Sequence, residues 1–183
     1  MPKIIPNIRE QLLREAKRQL MEQGYGKTTI RSVANACNLG IGTVYNYFKS
    51  KDMLIATFMA EDWTACLAHA KNQTSNNPEI ILKSIYDALI DFISKYQPLF
   101  CDSDAEKVFA TGLAEKHKQL RDQLAKLIIP ICEQCSISDK EFLSEYIAES
   151  LLTWTMAGVA FEKQYAIVCK IIYNNLTFIN KKK

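Results

Sequence analysis

Two constellations in this sequence could do chemistry. The first is Cys132-Glu-Gln-Cys135, since a Cys-x-x-Cys can hold zinc or cycle between dithiol and disulfide. It has little support around it. The six cysteines (Cys37, Cys66, Cys101, Cys132, Cys135 and Cys169) offer no second pair, and the two histidines, His69 and His117, stand alone. The paired thiols also lack a neighbouring His or Asp to activate them. They read as reduced packing thiols in a cytoplasmic chain. No metal, no cofactor and no catalytic residue is expected, so the chain reads as not an enzyme.

The second constellation is polar and aromatic, and lies between Thr28 and Lys51. Tyr45, Asn46 and Tyr47 are flat groups that can reach base edges and phosphates. They follow Gly42 and Thr43, whose small size lets a backbone approach closely. Arg31 can meet guanine with two parallel hydrogen bonds. Lys51 follows Ser50 at the start of a further helix, a place suited to a phosphate. The charge pattern agrees. The first 55 residues carry nine Lys or Arg (Lys3, Arg9, Arg14, Lys17, Arg18, Lys27, Arg31, Lys49, Lys51) against four acids, Glu10, Glu15, Glu22 and Asp52, while the whole chain is only +3. A basic head on a nearly neutral body suits an anionic polymer such as double-stranded DNA.

Short helices must position these groups. A first helix is expected from about Asn7 to Gln23, with Ile8, Leu12, Leu13, Ala16 and Leu20 on one face and Gly24 ending it. Thr28 and Thr29 can cap a second, about Ile30 to Cys37, whose inward side is Ile30, Val33, Ala34 and Cys37. Asn38-Leu39-Gly40 reads as a turn in which Gly40 can take positive φ. A third helix, about Gly42 to Phe48, buries Val44 and Phe48. Two short helices around a tight turn are the helix-turn-helix plan, in which the second lies in the major groove. Ser50 then caps a fourth helix from Lys51.

The stretch TIRSVANACNLGIGTVYNYFKSKDML, Thr29 to Leu54, resembles the DNA-binding signature of the TetR family of repressors. The resemblance extends over roughly Ile8 to Leu54; the rest of the chain is similar only in length and helical character. It implies an all-α homodimer with a three-helix head and a C-terminal helical bundle that binds an effector. By position, Thr29 looks like a phosphate contact from the second helix and Arg31 like a base-reading position. Gly42 and Thr43 match the start of the recognition helix. Tyr45 and Tyr47 match contacts to phosphates or thymine methyls, Asn46 a base reader and Lys51 the phosphate-binding lysine. Gly40 and Ile41 depart from the pattern, which often has a capping Ser or Thr and then a polar residue. The implied mechanism is two-state: an effector tilts the fourth helix and moves the heads apart, releasing the operator. A transcriptional activator of the same fold and a helical protein-protein adaptor are the alternatives.

The remainder reads as further helices, about nine in all, with no strand pattern. Gln73 to Pro78 is the clearest linker. After it come Ile81, Ile85, Leu89 and Phe92 on one stripe, then segments of about Ser103 to Lys118 and Gln119 to Cys135, the latter bent or broken by Pro130. Ser138 can cap a helix from Asp139 to about Ala160, and Phe161 to Asn180 makes the last. These two helices are apolar on more than one side and need two partners. That places Leu143, Ile147, Leu151, Trp154, Gly158, Tyr165, Val168, Ile172 and Leu176 at a homodimer interface. Trp63, Phe92, Tyr96, Phe100, Phe109 and Trp154 could line an apolar pocket for a small hydrophobic effector. The functional division is 1–50 for DNA and 51–183 for effector and dimerisation. No stretch is long and apolar enough to span a membrane.

Overall fold

The computed structural model describes residues 7–71, 75, 77–110, 113–134 and 139–180, without the side chains of 113, 114 and 174–180. Among the described residues there are nine helices and no strand. They are α1 (Ile8–Gln23), α2 (Ile30–Ala36), α3 (Ile41–Tyr47), α4 (Lys51–Lys71), α5 (Pro78–Phe100), α6 (Ser103–Phe109), α7 (Leu113–Gln134), α8 (Lys140–Met156) and α9 (Phe161–Asn180). The chain forms two compact units. One comprises residues 1–64 and 95–111, the other residues 65–94 and 112–183.

The first unit is built on α1. Leu12 and Ala16 are fully buried and Leu13 and Leu20 nearly so, matching the apolar spacing in the sequence. Gly24 ends the helix at φ 81°, its N–H donating to the Leu20 carbonyl. Thr28 is buried, and its hydroxyl donates to the Gly24 carbonyl at 2.9 Å. Thr29 caps α2 by accepting from the Ser32 N–H at 2.9 Å, while Ser32 Oγ accepts in return from the Thr29 N–H at 3.0 Å. Serine thus takes the part that Glu or Gln plays in the usual reciprocal box.

The turn between α2 and α3 differs from expectation. Asn38, not Gly40, holds the left-handed conformation, at φ 54°. Its N–H donates to the Asn35 carbonyl and the Leu39 N–H to the Ala34 carbonyl, which is the Schellman closure of a helix end. Asparagine tolerates this region better than other side chains do. Gly40 is extended (φ −68°, ψ 143°) and serves as the backbone start of α3.

A polar hub ties three helices of this unit together. Asp62 of α4 accepts from Lys17 of α1 at 2.7 Å and from the Tyr96 hydroxyl of α5 at 2.6 Å, and it pairs with Lys95. Burial pushes this carboxyl up, but the hydrogen bonds from Lys17, Lys95 and Tyr96 outweigh it and leave Asp62 below the usual carboxylate range. Its contribution to stability is therefore complete above the unfolded value near 3.8 and is lost as pH falls through the lower folded value.

In the second unit α7, α8 and α9 pack in succession, with Leu124, Ile128, Ile131, Ile147, Leu151, Val168 and Ile172 in the core. Three expectations change here. The break expected near Lys118 comes earlier, after Phe109, and α7 then runs without interruption past Pro130. The cap of α8 is Asp139, which accepts from the Phe142 N–H at 3.4 Å; Ser138 and Cys135 lie outside the described residues. Finally, Ile147, Leu151, Val168 and Ile172 were expected at a dimer interface but are buried within the chain itself. Among the described residues, the large apolar groups that α8 and α9 leave exposed are Phe142, Tyr146, Trp154, Met156, Ile167 and Tyr173. The periodicity found the stripe but could not say which of two apolar sides the chain would cover. Of the other expected interface residues, Leu143 and Tyr165 are half-buried, Gly158 is exposed and the Leu176 side chain is not described.

The turn geometry yields a stability test. Asn38→Gly should leave denaturant unfolding within about 0.5 kcal/mol of the parent, while Asn38→Val, β-branched at positive φ, should cost about 1–2 kcal/mol.

Candidate nucleic-acid interface

All eight residues expected to meet DNA lie in the first unit, at the cap of α2, on α2, on α3 and at the first residue of α4. Helix α3 spends one side on the core and leaves the rest free. Val44 is fully buried and Phe48, just past the helix end, is 2% exposed. Burying two such side chains is worth about 1.5–3 kcal/mol each, and this fixes the orientation of the helix. Tyr45 and Tyr47 are then 46% and 43% exposed, and Asn46 beside them is exposed as well. Both rings therefore keep a large open surface beside Asn46. Gly42 is exposed too, and a Cβ built there meets nothing within 4 Å, so the fold itself does not require glycine.

Helix α2 presents Thr29 and Arg31 as exposed residues. Their position depends on a polar network that the sequence reading did not find. Gln19 of α1 is only 5% exposed and accepts from Ser32 Oγ at 2.6 Å, while its own Nε2 donates to Glu15 at 2.8 Å. The hydrogen bonds from Arg18, then from Gln19, hold the Glu15 carboxyl below its ordinary range despite burial. A glutamine on the apolar side of α1 was the available signal, because a buried amide needs partners.

Ser50 begins α4 as expected, accepting from the Met53 N–H at 3.1 Å. Lys51 is half-buried; its Nζ donates to the Tyr25 carbonyl at 3.0 Å and lies 3.4 Å from the centre of the Tyr25 ring. Tyr25 had not been singled out in the sequence. It is 6% exposed, and its hydroxyl donates to Asp52 at 2.5 Å.

The six residues considered for an effector pocket are not gathered in one unit. Trp63, Tyr96, Phe100 and Phe109 belong to the first, Phe92 and Trp154 to the second. Tyr96 is fully buried, stacked on Phe58 with its hydroxyl on Asp62, and Trp63 is 5% exposed. Phe109 meets the Tyr25 ring edge to face at 6.3 Å between centroids. Phe92 is half-buried, while Phe100 and Trp154 stand exposed. Cys132 is buried, and among the described residues no group of three or more His, Cys, Asp or Glu could hold a metal ion. No helix among them is long and apolar enough to cross a membrane.

Short helices with exposed aromatic groups on the third have counterparts among known proteins. Residues 12–57 match the family described as bacterial regulatory proteins, tetR family. The likeness to that family thus lies in the first 57 residues, over α1, α2, α3 and the start of α4. Over 54 residues it is 35% identical to the HTH-type transcriptional regulator HbdR of Aromatoleum sp. (strain CIB), a match spanning 30% of this chain and 24% of that regulator. Beyond the head the likeness is one of fold. Thermus thermophilus FadR, a TetR-family transcriptional repressor solved with lauroyl-CoA, superposes with a TM-score of 0.58 at 17% identity over 90% of this chain and 93% of that one. The fatty acid degradation regulator FadR of Bacillus halodurans gives 0.56 at 19% identity over 92% and 93%.

The open space at Gly42 separates folding from binding. Gly42→Ala should keep or raise stability, by up to about 1 kcal/mol through helix propensity. If α3 enters the groove as the resemblance implies, the same change should weaken DNA binding in an anisotropy titration, because the added methyl group stands on the exposed start of the helix.

Proposed function

We propose that this chain is a homodimeric transcriptional repressor that holds operator DNA through α2, α3 and the start of α4, and releases it when a small hydrophobic effector binds. The observation that carries the reading is the division of labour on α3. Val44 and Phe48 are consumed by the core, while Tyr45, Asn46 and Tyr47 face outward. In this reading Asn46 and Arg31 read bases, Thr29, Tyr45, Tyr47 and Lys51 hold the backbone, and Gly42 and Thr43 allow close approach. Residues 1–50 together with Lys51 hold DNA, and the rest of 51–183 binds effector and dimerises.

Dimerisation through α8 and α9 draws on the exposed groups Phe142, Tyr146, Trp154, Met156, Ile167 and Tyr173. Such a density of exposed apolar side chains on two adjacent helices favours a partner surface. A two-fold dimer places its heads on half-sites about 34–36 Å apart, or a multiple of that spacing. The effector reading rests on the fold shared with FadR of Thermus thermophilus, which was solved with lauroyl-CoA. An effector shifts the equilibrium only by its differential affinity for the two states, about 1–3 kcal/mol in typical cases.

A gel shift on the DNA upstream of the gene itself tests the core of this proposal. The wild-type chain should retard the duplex, and the triple variant Tyr45→Ala, Asn46→Ala, Lys51→Ala should not. Retained binding by the triple variant contradicts the recognition-helix assignment. Sedimentation of the wild-type chain at micromolar concentration should give a dimer, and a monomer with and without DNA contradicts the assembly.

A further inference from the structure

We propose that Tyr25 is a positioning residue for DNA binding, whose ring and carbonyl seat the Lys51 ammonium at the head surface in readiness for a backbone phosphate. The inference rests on the DNA-binding reading above and adds a part for Tyr25, which the sequence did not single out.

The seat has two halves. The Tyr25 carbonyl accepts one ammonium proton at 3.0 Å, and the ring face lies 3.4 Å below the same nitrogen. A lysine ammonium carries further donors, which these two contacts leave for an outside acceptor. The half-exposure of Lys51 gives such an acceptor access. A free lysine on a helix surface samples many rotamers and must lose that freedom to meet a phosphate, whereas a seated one has already lost most of it.

The seat is itself fixed. Tyr25 lies in the turn between α1 and α2, and is held by groups from two other elements. Its hydroxyl donates to Asp52, the residue after Lys51, and Phe109 at the end of α6 packs edge-on against its ring. Asp52 is the nearest carboxylate to Lys51 in sequence, and a neutral hydroxyl engages it. Burial pushes the Lys51 ammonium down, and Asp52, Asp102 and Asp104 act in the opposite direction. Burial raises the Tyr25 hydroxyl, and its bond to Asp52 raises it further, so the ring stays neutral across the physiological range. A neutral ring with an electron-rich face is what a cation seat needs.

The test is a fluorescence-anisotropy salt series with the full chain and a mixed-sequence DNA duplex, because a phosphate contact is independent of sequence. Removing one such contact lowers the slope of log affinity against log salt by about 0.9. Lys51→Ala should show that drop. Tyr25→Leu should reproduce most of it and add little in the Lys51→Ala background, while Tyr25→Phe, with ring and carbonyl intact, should keep the wild-type slope. If the leucine variant unfolds by circular dichroism, Tyr25→Met supplies the same comparison, with apolar bulk but no ring face. A slope that responds to Lys51→Ala but not to Tyr25→Leu or Tyr25→Met overturns the seat and leaves the DNA reading standing. A slope indifferent to Lys51→Ala overturns the seat as well. Wild-type binding without salt dependence, or no binding, overturns the DNA reading and the seat together.

Discussion

A helix of seven residues cannot hold its own shape in water, because nucleation costs more than so few hydrogen bonds return. Every property of α3 that matters for recognition therefore comes from what holds it. Val44 and Phe48 supply that hold from one side, and the closed turn at Asn38 supplies it from the end. Val44 and Phe48 act on the side away from solvent, so Tyr45, Asn46 and Tyr47 are left on the open side. The aromatic surface is a consequence of anchoring the helix along a single stripe.

Polar bonds extend this hold through the first unit. Gln19 joins α1 to the cap of α2 through Ser32, and Asp62 joins α1 to α4 and α5 through Lys17, Lys95 and Tyr96. Tyr25 joins the turn after α1 to the start of α4 and the end of α6. Each is a case in which a partly or fully buried polar group is satisfied by a residue distant in sequence, and losing one partner strands the others at a cost of about 1–3 kcal/mol. Hydrophobic burial sets the packing of the head, and these bonds set its register.

The helical head was legible because its signals are local. Apolar spacing at Leu12, Ala16 and Leu20, the caps at Thr29 and Ser50, and the motif from Gly42 to Lys51 all lie within a few residues of what they control. The positive-φ residue of the turn was misplaced for a related reason: Asn38 and Gly40 both suit such a position, and the pattern of backbone bonds from Ala34 to Leu39 chose between them. Tyr25, Gln19 and Asp62 were missed because their partners are distant in sequence. On α8 and α9 the period was visible but its facing was not, since a helix with two apolar sides does not declare which one its own chain will cover. The aromatic residues considered for an effector pocket show the same limit: Tyr96 and Trp63 proved to be core, whereas Phe100 and Trp154 did not.

In the proposed function α3, held from behind, is the surface that meets DNA. Amide chemical-shift mapping of the full chain, titrated with a duplex from the DNA upstream of its gene, tests this most directly. The largest changes should fall on Thr43, Tyr45, Asn46, Tyr47 and Lys51, with Arg31 and the cap of α2 alongside. Changes confined to the exposed faces of α8 and α9, with α3 unmoved, would contradict it.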